Sequence, residues 1–155
     1  MAEHLPRIAP GAGWVSPSDL PKGPNGRALC RRCSTEVAPP RRTFCSESCV
    51  TEWKIRTDPG FAKKKVWERD NGICAECRSD TLGPARRAKI AVSTRLNWGI
   101  KLSPWDMDHI VPVVEGGGAC GLENLRTLCK PCHRSVTAAL ARRRAERRKA
   151  SVVSA

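Results

Sequence analysis

The chain has 155 residues, of which 40% are hydrophobic but only 5% aromatic, with no tyrosine. So few large side chains cannot build a generous core, and a fold of this size then needs a staple, for which nine cysteines supply the material. No apolar run approaches the roughly 18 residues that cross a bilayer, which argues against a membrane protein; 28 Lys and Arg against 15 Asp and Glu leave a formal charge of +13, which favours polyanionic partners.

Residues 1–27 contain five Pro and four Gly with isolated apolar residues and no periodicity, and read as a flexible arm with Trp14 exposed on it. The first ten residues lack a basic stretch followed by an apolar one, so an intracellular protein, cytoplasmic or nucleoid-associated, is expected. In such a reducing setting, closely spaced cysteines hold metal rather than form disulfides. A first unit at 28–57 carries Cys30-x-x-Cys33 and Cys45-x-x-x-Cys49. Each pair chelates from a tight turn, and two pairs complete a closed tetrahedron suited to structural zinc. The arginines around them, Arg31, Arg32, Arg41 and Arg42, argue against four buried, idle thiols.

Asp58-Pro59-Gly60 has turn chemistry and marks a boundary. Phe61–Asp70 reads as a helix with Phe61, Val66 and Trp67 near one face, stopped by Asn71-Gly72. Cys74-x-x-Cys77 and Cys129-x-x-Cys132 form a second complete ligand set despite the 51 residues between its halves. Between them, residues 84–96 can form a basic helix, 98–105 an irregular connector, and Met107–Val111 a strand that Pro112 ends. Gly116-Gly117-Gly118 supplies a sharp turn, Leu125–Leu128 a second strand, and a helix is expected from Pro131 to about Ala150. Cys120 falls outside both sets and reads as a small buried residue.

Two of the three histidines lie in or beside the segment that the second set encloses. His109 falls on the first strand after Asp108, Asn124 just before the second strand, and His133 in the first turn of the last helix. An imidazole, an amide and a second imidazole so placed can supply what one-metal phosphodiester hydrolysis requires: a base for water, a fixed base segment and a metal ligand. Adjacent strand residues point to opposite faces, so Asp108 and His109 share a site only where the backbone is irregular.

The blocks WERDNGICAEC, DHIVPVVEGGG, ENL and LCKPCH, in this order over about residues 61–137, resemble an HNH endonuclease of the ββα-metal type with a four-cysteine structural zinc. The preceding FCSESC unit, with Trp105 before the Asp-His pair, is similar more narrowly to the HNH module of annealing-helicase proteins. The resemblance implies that His109 is the general base, that Asp108 and His133 hold a catalytic Mg²⁺ or Mn²⁺, and that Asn124 orients the His109 segment.

The last helix carries Arg142, Arg143, Arg144, Arg147, Arg148 and Lys149; Arg86, Arg87 and Lys89 form a second basic cluster and Lys63–Lys65 a third. Such groups neutralise phosphates without reading bases. The expectation is a small α+β protein: the arm, a four-cysteine zinc module at 28–57, an HNH domain at 61–137 and a basic helical tail at 138–155. It would hold two structural zinc ions and nick DNA with weak sequence preference or by recognising shape, with RNA left open as a substrate. The alternatives are a zinc-stabilised nucleic-acid-binding module that does not cleave, and an adaptor whose N-terminal zinc module binds a protein partner. The oligomeric state is left open.

Overall fold

The computed structural model describes residues 13–83 and 104–153. The basic helix expected at 84–96, with Arg86, Arg87 and Lys89, and most of the expected connector lie outside these residues. Within them stand three α-helices, α1 (Glu47–Thr57), α2 (Pro59–Asp70) and α3 (Lys130–Val153), and one antiparallel pair, β1 (Trp105–His109) and β2 (Leu125–Cys129), which makes the protein a small α+β fold. No helix among the described residues is long and apolar enough to cross a membrane. The chain divides into two compact units: one combines the described residues of 1–65 with Val111–Asn124, the other those of 66–110 with 125–155.

In the first unit, Ser46 caps α1, its hydroxyl accepting from the Cys49 N–H at 3.1 Å. Such a cap satisfies a donor that the first helical turn leaves free. Asp58 ends α1 by donating its N–H to the Lys54 carbonyl, then starts α2, its carboxylate accepting from Gly60 and Phe61 N–H at 2.9 and 3.1 Å. With Pro59 in the first helical position, where a missing N–H costs nothing, the turn expected at 58–60 shrinks to a single residue between two helices. Phe44 packs on Trp53, and the Arg31 guanidinium lies over both rings, 4.3 Å from the Trp53 centroid. Ala28, Cys30, Val37, Ile55 and Ala62 are buried. Trp14 is 87% exposed.

The second unit is built on the hairpin ladder, in which Trp105 pairs with Cys129, Met107 with Thr127 and His109 with Leu125. Strand alternation puts these six on one face, and Asp106, Asp108, Arg126 and Leu128 on the other. Trp67 of α2 stacks on Trp105, with ring centroids 6.3 Å apart. Val66, Cys74, Trp105, Leu125 and Leu128 are buried. Asp70 fastens the end of α2 to β2, accepting from the Thr127 N–H at 3.1 Å, while Arg69 donates to the Leu125 carbonyl at 2.7 Å. Burial opposes ionisation of Asp70, but the hydrogen bonds from Arg69 and Thr127 together outweigh it and lower its pKa below the ordinary value.

The expected strand is displaced by two residues at its start and its end. Trp105 is not part of a connector; it opens β1, because its ring is needed under Trp67. Ile110 and Val111 leave the ladder and are 51% and 46% exposed. Removing the Trp105 ring from the buried stack should cost about 3–5 kcal/mol, read as a lower urea midpoint for Trp105→Ala, whereas Trp14→Ala should stay within about 0.5 kcal/mol of wild type.

Candidate functional site

The two cysteine sets share one local architecture. Cys30 and Cys74 each accept, through their carbonyls, the N–H four residues on, from Ser34 and Arg78 at 2.9 and 3.0 Å. Each also donates its own N–H to the carbonyl five residues on, of Thr35 and Ser79, at 2.8 and 2.9 Å. Ser34 and Arg78 both take left-handed backbone, with φ of 61° and 60°, a conformation side chains adopt only where the turn demands it. In both sets the last cysteine sits in the first turn of a helix, Cys49 in α1 and Cys132 in α3.

In each set the four sulfurs lie within 4.8 Å of one another. Cys45 is 3.5 Å from Cys33 and 3.4 Å from Cys49, Cys33 is 3.7 Å from Cys49, and Cys77 is 3.7 Å from Cys129. A tetrahedral zinc with bonds of about 2.3 Å spaces its sulfurs about 3.8 Å apart, so both sets fit that ion. Their protonation is divided. The Thr35 hydroxyl and N–H lower Cys33 to about 6, and the Ser79 hydroxyl and N–H lower Cys77 to about 6. Cys45 is pushed up to about 12, first by Cys49 and then by Cys33; Cys132 likewise, first by Cys129 and then by Cys77. Four sulfurs so close can all be thiolates only around a cation, which ties metal binding to folding.

Cys132 and His133 are consecutive on α3, so their side chains diverge by about 100°. One turns to the sulfur cluster and the other to the acidic face of β1. There His133 meets two carboxylates: Asp106 Oδ2 lies 3.0 Å from Nδ1, and Asp108 Oδ1 lies 3.9 Å from Nε2. Each carboxylate has its second oxygen engaged by a cation. Asp106 Oδ1 accepts from Lys130 Nζ at 2.6 Å, and Asp108 Oδ2 from Arg126 Nε at 3.0 Å. Arg126 also reaches Glu76 in the Cys74–Cys77 turn at 2.6 Å, and Ala75 donates to the Thr127 carbonyl at 2.8 Å. The cysteine turn is thereby tied to β2, and through Arg126 to Asp108 on β1.

The distance of 3.9 Å between Asp108 and His133 is too long for a hydrogen bond. It is close to the span of two metal–ligand bonds of about 2.1 Å each. The pair therefore fits a small divalent cation between a carboxylate oxygen and an imidazole nitrogen. His109 closes β1 on the opposite face, half-buried; the ladder is regular through it, so it does not converge with Asp108 on one side of the strand. Asn124 uses its whole amide: Oδ1 accepts from the Val111 N–H at 2.7 Å, and Nδ2 donates to the carbonyls of Val111 and Gly117 at 3.1 and 2.9 Å. A side chain at Gly117 would collide with the Val111 carbonyl and Asn124, and Gly116 has φ of 94°. That is why this loop needs glycine. The amide holds the backbone two residues beyond His109 in the chain.

Asp106 was not among the residues expected at this site, although two carboxylates at positions i and i+2 of a strand are a legible signal for one face. Arg126 could be found only from the register. Arg142, Arg143 and Arg144 are exposed on α3.

Residues 96–139 match the family described as HNH endonuclease. The chain is 32% identical over 176 residues to the DNA annealing helicase and endonuclease ZRANB3 of Mus musculus, covering 94% of this chain and 16% of that protein. It is 33% identical over 159 residues to the ZRANB3 of Homo sapiens, covering 83% and 15%. The chain thus spans about a sixth of the length of these relatives. No solved structure matches it.

Elemental analysis of the purified protein should find two zinc ions per chain, and one after Cys74→Ser. A chain without zinc would remove the metal assignment of both clusters.

Proposed function

Since residues 96–139 belong to the HNH endonuclease family, we propose that this protein hydrolyses phosphodiester bonds of DNA in a reaction that requires a divalent ion. The observation that carries this reading is the pairing of Asp108 Oδ1 with His133 Nε2 across 3.9 Å, each aimed by a further contact. The relatives named as DNA endonucleases support DNA as the substrate, and so does the charge of +13.

His109 is the general base. It takes the proton of a water that attacks phosphorus, a role worth about 10²–10⁴ in rate. Asp108 and His133 hold Mg²⁺ or Mn²⁺. When bound, this ion supplies positive charge where the transition state becomes more negative. Asn124 fixes the loop backbone that follows His109, which limits how far the base can drift. One such site cuts one strand, so the product is a nick.

On α3, Arg142 and Arg144 are both exposed, about 200° apart around the helix axis. They contact phosphates and leave sequence unread.

With Mg²⁺ or Mn²⁺, the protein should convert supercoiled plasmid to the open circle. His109→Ala should slow this by about 10²–10⁴-fold without changing zinc content, and a chelator should stop it until the divalent ion is restored. Wild-type protein that binds DNA but nicks in no divalent metal would leave a non-cleaving binding module. Substituting Arg142 and Arg144 by Gln should weaken DNA binding equally across sequences and make it less sensitive to salt, by about one unit of logarithmic slope for each phosphate no longer neutralised.

A further inference from the structure

The loop between β1 and β2 belongs to a different unit from the strands it joins. Val111–Asn124 forms one compact unit with the described residues of 1–65, which carry the first four-cysteine set, while both strands lie in the other unit. Its valines contribute little burial, since Val111, Val113 and Val114 are all exposed. Polar contacts close it instead: Asn124 Oδ1 accepts from the Val111 N–H at 2.7 Å, and Glu123 Oε1 from the Gly121 N–H at 3.0 Å.

The cysteine module offers charges to this loop. Arg32, in the Cys30–Cys33 turn, lies 3.7 Å from the Glu52 carboxylate of α1. Arg56, one turn further along α1, pairs with that carboxylate as well and donates to the Glu52 carbonyl at 3.0 Å. On the loop, Glu123 feels both arginines. Its own N–H and that of Gly121 lower its carboxyl pKa first, and the Arg56 and Arg32 charges lower it further. The cluster in turn aims α1, because Cys49 stands in the first turn of that helix.

Resting on the nuclease reading, we propose that the first four-cysteine module is a bracket for the loop after β1: metal in it fixes the turn and α1 that hold the loop, and Asn124 passes this constraint to the backbone two residues beyond His109. The module lies outside the matched residues 96–139, yet it acts on cleavage as a positioning element.

The test uses the full chain and reads amide exchange by NMR. The Val111 N–H reports the loop, and the Thr127 N–H, bonded to Asp70 in the other unit, reports the hairpin. Cys33→Ser with Cys45→Ser removes one ligand from each pair and should leave one zinc per chain. Val111 should then lose protection while Thr127 keeps it. The nicking kcat should fall about 10–100-fold at unchanged KM, since displacing a catalytic group by about 1 Å can cost that much. Should these substitutions unfold the protein, Glu123→Gln and Arg56→Gln decide while leaving every cysteine in place. Glu123→Gln still accepts from the Gly121 N–H but carries no charge. Each single variant should speed Val111 exchange about 2–5-fold, and the double variant by less than the product of the two. A one-zinc protein with Val111 exchange and nicking both unchanged would overturn the proposal and favour the adaptor. So would protection lost equally at Thr127, which makes the zinc a general stabiliser, or independent effects of Glu123 and Arg56. A wild type that never nicks, with Val111 responding as expected, would sink the nuclease reading and leave the bracket standing.

Discussion

The second unit depends on the convergence of four sulfurs, Cys74, Cys77, Cys129 and Cys132, at the point where β2 gives way to α3. With so few large apolar side chains, burial alone cannot fix the direction of a helix that leaves a two-stranded hairpin. The cluster fixes it by covalent continuity: Cys132 must face the other sulfurs, so the next residue, His133, is turned by about 100° toward the acidic face of β1. The Cys74–Cys77 turn is joined to the same strands through Ala75 and through the Glu76–Arg126–Asp108 chain of ion pairs. A metal that folds the module would therefore also aim the residues proposed to hold a second metal.

The two faces of the hairpin differ in charge. One face carries Trp105, Leu125 and Thr127 against α2, with Trp67 stacked on Trp105. The other carries Asp106, Asp108 and Arg126, with the fully buried Leu128, near the start of α3. Carboxylates on the inner face would pay a desolvation cost that few interactions offset. Beside α3 they are 25% and 15% exposed, each held by one cation. Both extra cations, Arg126 and Lys130, lower the electrostatic cost of placing two carboxylates beside each other.

The repeated cysteine turn shows how one local solution serves two purposes. Cys30–Thr35 and Cys74–Ser79 form the same hydrogen bonds and use the same left-handed residue, and each leads to a partner pair at a helix start. Only the second version inserts a hairpin before that helix, and with it the Asp-His segment and a histidine after the last cysteine. The first has Val50 in the place after Cys49 and no acidic strand before α1.

Cysteine spacing alone was enough to identify both four-sulfur sets, because a metal demands short, fixed intervals within each pair and tolerates any length between pairs. The stop of α2 at Asn71-Gly72 was equally legible, since left-handed backbone there restricts the residue types. The limits of β1 were not. Ile110 and Val111 have strand chemistry, yet the Asn124 amide takes the backbone of Val111 and ends the pairing first. The place of Asp106 beside Asp108 was legible, but its contact with His133 was not: a strand shows which residues share a face, while the helix that crosses that face is chosen by packing. Local chemistry determined which residues could bind metal. Only the folding of α3 across β1 decided that His133 would lie between two carboxylates, because that contact joins positions more than twenty residues apart that no local rule connects.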